Sequence, residues 1–165
     1  MVHGACIAGG LMLAWVCDLI VASEDAFFQD PVQLMGIPGV EYFAHPFELP
    51  PRVAKGFLML GEKMTAAQAL GFGMVNRCVR REQLEVETIS LAHNLARKPG
   101  LGLWLTKQAI NHAEDLRGKR TAMDTTFHMH HFAHAQNTLV TGNTLAGMDA
   151  TLMAGANRGE KPSAE

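Results

Sequence analysis

What this sequence lacks narrows it first. Fourteen lysines and arginines are set against sixteen aspartates and glutamates, a formal charge of −2. There is no basic excess with which to follow a nucleic-acid backbone. Three cysteines, Cys6, Cys17 and Cys78, are odd in number and widely spaced. That excludes a disulfide framework and leads us to expect free thiols in a reducing cytoplasm. The apolar run from Ile7 to Val16 is too short to span a bilayer and has no charged leading segment, so neither a membrane anchor nor a signal peptide is expected. No internal repeat stands out and no linker splits the chain.

What is present suits one domain, or most of one. The 165 residues are 48% hydrophobic, enough to bury a core. Ten methionines read as filler for an irregular interior. Residues 9–17 read as a short buried helix, and LIVA (19–22) and AFFQ (26–29) as buried strands. Residues 30–51, dense in proline and glycine, read as loop with at most one helical turn. From Arg52 the pattern is helical, with Val53, Phe57 and Leu60 on one face and Gly61 as the stop. Thr65-Ala66-Ala67-Gln68 is a capping box for a helix closed by Gly71. MVNRCV (74–79) reads as a strand. Helices are expected over 82–97 and 101–116, broken at Pro99-Gly100, and then over 120–139 and 144–154. The last residues, NRGEKPSAE, read as a loose tail.

The most informative stretch is HGACIAGG (3–10), in which three glycines and three other small residues precede the first helix. A glycine-rich turn feeding a helix start presents bare main-chain N–H groups to something negative or polarised. A phosphate, a carbonyl oxygen and solvent all meet that description.

Four blocks in order resolve the choice by resemblance. HGACIAGGLMLAWVCDLIVASEDAFF, DPVQLMGIPG, FLMLGEKMTAAQALGFGMVNRCV and LTKQAIN together resemble the enoyl-CoA hydratase/isomerase (crotonase) superfamily and cover most of the chain. The resemblance implies an α/β fold: the later part of a crotonase-type ββα spiral over residues 1–80, followed by a helical oligomerisation region over 81–165. The family sequence is already about two-fifths complete where this chain begins, so an N-terminally truncated member is expected. The implied ligand is an acyl-CoA thioester, bound as substrate with no separate cofactor. Its carbonyl would be polarised by two backbone N–H groups, the second of them at Gly9. Preorganised donors of this kind stabilise developing oxyanion charge by ~3–4 kcal/mol each.

Two departures from the family pattern bear on chemistry. The resemblance places the two hydratase glutamates at positions that hold Met12 and Val32 here. Hydration needs a base for water and an acid for the α-carbon, and neither side chain moves protons. The remaining candidates for an acid or base are Glu41 in GIPGVEY and Asp30 in the same loop region. Tyr42 and His45 lie nearby, and His45 reads as a structural histidine. The nominal activity is therefore that of an enoyl-CoA hydratase or isomerase (a lyase or isomerase of fatty acid metabolism) with a non-standard acid. The alternative is a non-catalytic acyl-CoA-binding or structural subunit. The resemblance also implies a homo-oligomer, a trimer or hexamer, in which Phe132 and Lys161 are candidates for completing a neighbour's CoA site. FHMHHFAHAQN carries His128, His130, His131 and His134; it reads as a polar helix face, and no metal is expected.

Overall fold

The computed structural model describes residues 1–39 and 42–157. Three short strands form one sheet. β1 (Ala5–Ile7) runs parallel to β3 (Phe27–Gln29), pairing Cys6 with Phe28, and β3 pairs antiparallel with β4 (Met64–Thr65). β2 (Val21–Ser23) and β5 (Arg77–Val79) form a second, parallel pair. Val2 bridges to Ala22, so the chain before β1 meets β2 as well.

Between β1 and β2 lies α1 (Gly9–Trp15), whose Leu11 and Trp15 face the core. After β3 come a 3-10 turn (Pro31–Met35), α2 (His45–Glu48) and α3 (Pro51–Leu60). The left-handed Gly61 (φ 64°) ends α3. α4 (Ala66–Gly71) opens on the expected capping box, with Thr65 Oγ1 accepting from the Gln68 N–H and Gln68 Oε1 from the Thr65 N–H. The core gathers Leu11, Trp15, Phe28, Phe57, Met64 and Met74 around fully buried alanines at 22, 44, 66 and 69. Alanine at those places lets helices and strands approach closely, which a packed interior requires.

The remaining helices are α5 (Leu84–Ala96), α6 (Gly100–Leu116), α7 (Lys119–Thr141) and α8 (Ala150–Asn157). The mixed α/β part followed by a helical region agrees with the expected fold class.

Several boundaries differ from the sequence reading, each for a local reason. The strand read at 19–22 begins at Val21, because the Ile20 N–H donates to the Asn76 side chain instead of a ladder. The strand read at 74–79 begins at Arg77: the N–H groups of Met74 and Val75 turn back to the Ala69 carbonyl. Leu60 is exposed, and Ala54 and Phe57 form the buried side of α3. The helix read from 144 starts at Ala150, since Ala146 and Met148 donate instead to the carbonyls of Met35 and Leu34. The 30–51 region holds two helical turns rather than one. Strands β1 and β4 are too short for periodicity to reveal. The expected loose tail, residues 158–165, lies outside the described residues.

Candidate active site

The glycine-rich stretch folds as strand, turn and helix. β1 carries the chain to Ala8, whose N–H donates to the Gln29 carbonyl (3.0 Å) and so extends the β1–β3 pairing by one residue. Ala8 then takes φ 46° and ψ −110°, a left-handed backbone that an alanine rarely adopts. Such a residue costs on the order of 1–3 kcal/mol and persists only where its surroundings hold it. The Ala8 carbonyl accepts the first helical bond, from the Met12 N–H. The N–H groups of Gly9, Gly10 and Leu11 belong to the first turn, which has no intrahelical acceptors for them. Both glycines are exposed, and a methyl group added to either would meet nothing within 4 Å. Gly9 and Gly10 thus stand exposed at this turn, with open space where a side chain would be among the described residues.

The DPVQLMGIPG stretch (30–39), the second loop, meets α1 at the two positions, Met12 and Val32, to which the resemblance assigns glutamates. Val32 and Ile37 are buried as a pair, and Met12, Met35, Leu58 and Ala133 pack against them. These residues form one small apolar cluster drawn from α1, the 3-10 turn, α3 and α7.

Asp30 lies deeper than the sequence suggests. It is 0% exposed, as is His45, and the His45 Nε2–H donates to Asp30 Oδ2 at 2.8 Å. The rings of Trp15, Phe43 and Phe57 surround the imidazole, Trp15 edge-on at 4.7 Å. Asp30 Oδ1 and His45 Nδ1 have no hydrogen-bond partner among the described residues. The pair ties the end of β3 to the start of α2, with no open path to solvent in this conformation. Cys6, on β1 opposite Phe28, is also buried, and burial pushes its thiol up to about 11.

One long-range tie has no conspicuous sequence signal. The His130 Nδ1–H on α7 donates to the Gly39 carbonyl (2.7 Å), and the Asn137 amide donates to the Gly36 carbonyl (3.2 Å). α7 thus holds the GIPG loop by two backbone oxygens, from residues two helical turns apart. Their i, i+7 spacing is the only trace in the sequence, and it resembles an ordinary polar face. Beside this loop, Pro38, Phe43, Ala122, Thr126 and Met129 line an open, mostly apolar depression of about 570 Å³. Its lining does not include the Gly9 turn.

Of the other expected residues, Phe132 is 71% exposed on α7. Glu41 and Lys161 lie outside the described residues. No helix among the described residues is long and apolar enough to cross a membrane.

Comparison with known proteins bears on the family and the fold. Residues 1–150 match the enoyl-CoA hydratase/isomerase family. A Mycobacterium tuberculosis protein carrying the name "Putative enoyl-CoA hydratase EchA13" is 42% identical over 146 residues, covering 88% of this chain and 46% of that protein. A crystal structure of "a probable enoyl-CoA hydratase" from Mycobacterium smegmatis superposes with a TM-score of 0.84 at 45% identity, covering 88% of this chain and 59% of that one. An enoyl-CoA hydratase/isomerase structure from Xanthobacter autotrophicus Py2 superposes with a TM-score of 0.76 at 29% identity, covering 94% and 55%. The chain spans about half the length of the relatives it matches. With a family match over residues 1–150, the chain belongs to the enoyl-CoA hydratase/isomerase family.

Proposed function

We propose that the chain acts on acyl-CoA thioesters by taking the thioester carbonyl at the Gly9 N–H, and that it does not use paired-carboxylate hydration. The observation that carries the reading is the Ala8–Gly9–Gly10 turn, with its left-handed Ala8 and its open, exposed glycines. A carbonyl that becomes an enolate gains charge on oxygen. A fixed N–H at that oxygen stabilises the charge without reorganising, by ~3–4 kcal/mol where single donors have been removed. The apolar Met12–Val32–Ile37 cluster argues against syn-hydration, because neither the water-activating base nor the α-carbon acid is present at those positions. Proton transfer of the isomerase kind needs one acid or base, and Glu41 is the first candidate. Asp30 is the second, and it requires the loop to open.

The competing reading is a non-catalytic acyl-CoA-binding or structural subunit. It is favoured by the apolar surface of α6 and α7, where Leu101, Trp104, Ile110 and Phe132 are exposed. In either reading the working form is a homo-oligomer, a trimer or hexamer, with Phe132 and Lys161 offered to a neighbour's CoA. The three free cysteines suit a reducing cytoplasm.

The deciding experiment is calorimetric titration of the chain and its Gly9→Pro variant with a thioether analogue of a short acyl-CoA. Proline is accepted at a helix's first position but has no N–H. Circular dichroism checks that the variant folds. Binding weakened by about tenfold or more, equivalent to roughly 1.4 kcal/mol, supports the carbonyl contact. Equal binding by both chains removes Gly9 from the site, and no binding by the parent leaves the structural subunit.

A further inference from the structure

The buried Asp30–His45 pair joins β3 to α2, and its backbone neighbours lead to the glycine-rich turn. Asp30 stands at the cap position of the 3-10 turn, yet its side chain makes no cap bond there. An aspartate at such a position ordinarily accepts from the free N–H groups of the turn. Here Oδ2 accepts from the His45 Nε2–H at 2.8 Å instead, and both residues are 0% exposed. Asp30 Oδ1 and His45 Nδ1 have no hydrogen-bond partner among the described residues. An apolar contact in the same place would carry no such desolvation cost.

The peptide unit that ends at Asp30 is the one that holds the turn. Its carbonyl, that of Gln29, accepts the Ala8 N–H at 3.0 Å. A peptide group is planar, so fixing Asp30 limits the directions this carbonyl can take. The Gln29 side chain adds a restraint by donating to the Gly61 carbonyl at 2.7 Å. Ala8 keeps φ 46° and ψ −110°, and that ψ sets the plane of the next peptide and hence the direction of the Gly9 N–H. A left-handed alanine persists only where its surroundings hold it. His45 reaches the same helix at its other end. Trp15, the last residue of α1, meets the imidazole edge-on with ring centroids 4.7 Å apart. One buried pair thus restrains α1 at both ends, through Gln29 and Ala8 at its start and through Trp15 at its finish.

We infer that Asp30 and His45 are positioning residues for the thioester-binding turn: their hydrogen bond holds Ala8 in its left-handed conformation and so fixes the Gly9 N–H. Neither side chain touches the substrate in this role. The inference rests on the Gly9 reading of the site, and it gives Asp30 a task other than proton transfer.

The test needs a lesion that removes the directional bond and leaves the chain folded. A buried hydrogen-bonded or charged pair replaced by apolar side chains of similar volume is often no less stable. Asp30→Leu with His45→Phe is that lesion. Asp30→Asn, which keeps an acceptor for the Nε2–H, is the conservative control. Urea melts check that each variant folds; should the double variant not fold, His45→Phe alone takes its place. Amide exchange at Ala8 is read first, without ligand. Relative to the amides of α4, the double variant should exchange there about tenfold or more faster than the parent, and Asp30→Asn should stay near the parent. The infrared carbonyl stretch of a saturated short-chain acyl-CoA, isotope-labelled at the thioester carbon, is read second. The parent and Asp30→Asn should lower it on binding, and the double variant should lower it much less. Equal protection of Ala8 in the parent and the folded double variant overturns the inference, as does loss of that protection in Asp30→Asn. A parent that binds the thioester without moving its carbonyl stretch overturns the Gly9 reading, and with it the task assigned to the pair.

Discussion

At the residue scale, Gly9 and Cys6 illustrate how one side chain's surroundings decide its role. Nothing among the described residues comes within 4 Å of where a Cβ at Gly9 would stand, so the described packing does not require a glycine there. Gly9→Ala should raise stability in a urea melt by up to about 1 kcal/mol, since alanine is the better helix former. The same variant should weaken binding of the acyl-CoA analogue, because the methyl group enters the space open to the ligand. A loss of stability instead would assign the glycine to the fold. Cys6 gives a pH signature. Its thiol is raised from 9.0 to about 11 by burial, so between those values the unfolded chain ionises while the folded chain stays protonated. The unfolded state then binds fewer protons, and stability falls as pH rises from 9 towards 11, by at most about 1.4 kcal/mol per unit. Chemical denaturation at pH 8 and pH 10 should show the fall in the parent and a smaller one in Cys6→Ala.

At the element scale, the second loop is a joint held from three sides. α7 grips it through His130 and Asn137, the Asp30–His45 pair anchors its beginning to α2, and the 146–148 segment pairs with its Leu34 and Met35 carbonyls. The last contact depends on Gly147, where a Cβ would collide with the Leu34 carbonyl. Gly147→Ala should therefore push that segment away from the loop and cost about 1–3 kcal/mol, the usual range for overpacking. Amide exchange should be faster at Ala146 and Met148, whose N–H groups make those two bonds, and little changed in α4. Uniform exchange rates in parent and variant would mean the segment is not held there.

At the scale of the whole molecule, α6 has no buried residue among its seventeen. Trp104 is 58% and Leu116 76% exposed, and α7 adds Phe132, Leu139 and Val140. These exposed apolar side chains are what the proposed self-association would cover. Sedimentation of the purified chain should show self-association, and Trp104→Glu with Leu105→Glu should shift it towards monomer while α3 and α4 keep their helicity. A parent that sediments as a monomer at all concentrations would count against the homo-oligomer.

The sequence alone determined the parts governed by local chemistry. The Thr65–Gln68 box, the Gly61 stop, the break at Pro99-Gly100 and the turn ahead of α1 depend on neighbours a few residues apart, and motif order gave the family. That Met12 and Val32 carry no carboxylate was legible too, because residue identity suffices for it. Only the tertiary structure decided that those two positions share one apolar cluster, that Asp30 is sealed against His45, and that His130 holds a loop ninety-one residues away. Strands of two or three residues have no period to read, and burial of a polar side chain depends on what packs over it from elsewhere in the chain. Local propensity is encoded in consecutive residues, whereas a site is made by contacts between distant ones, so the sequence named the candidates and the fold set their surroundings.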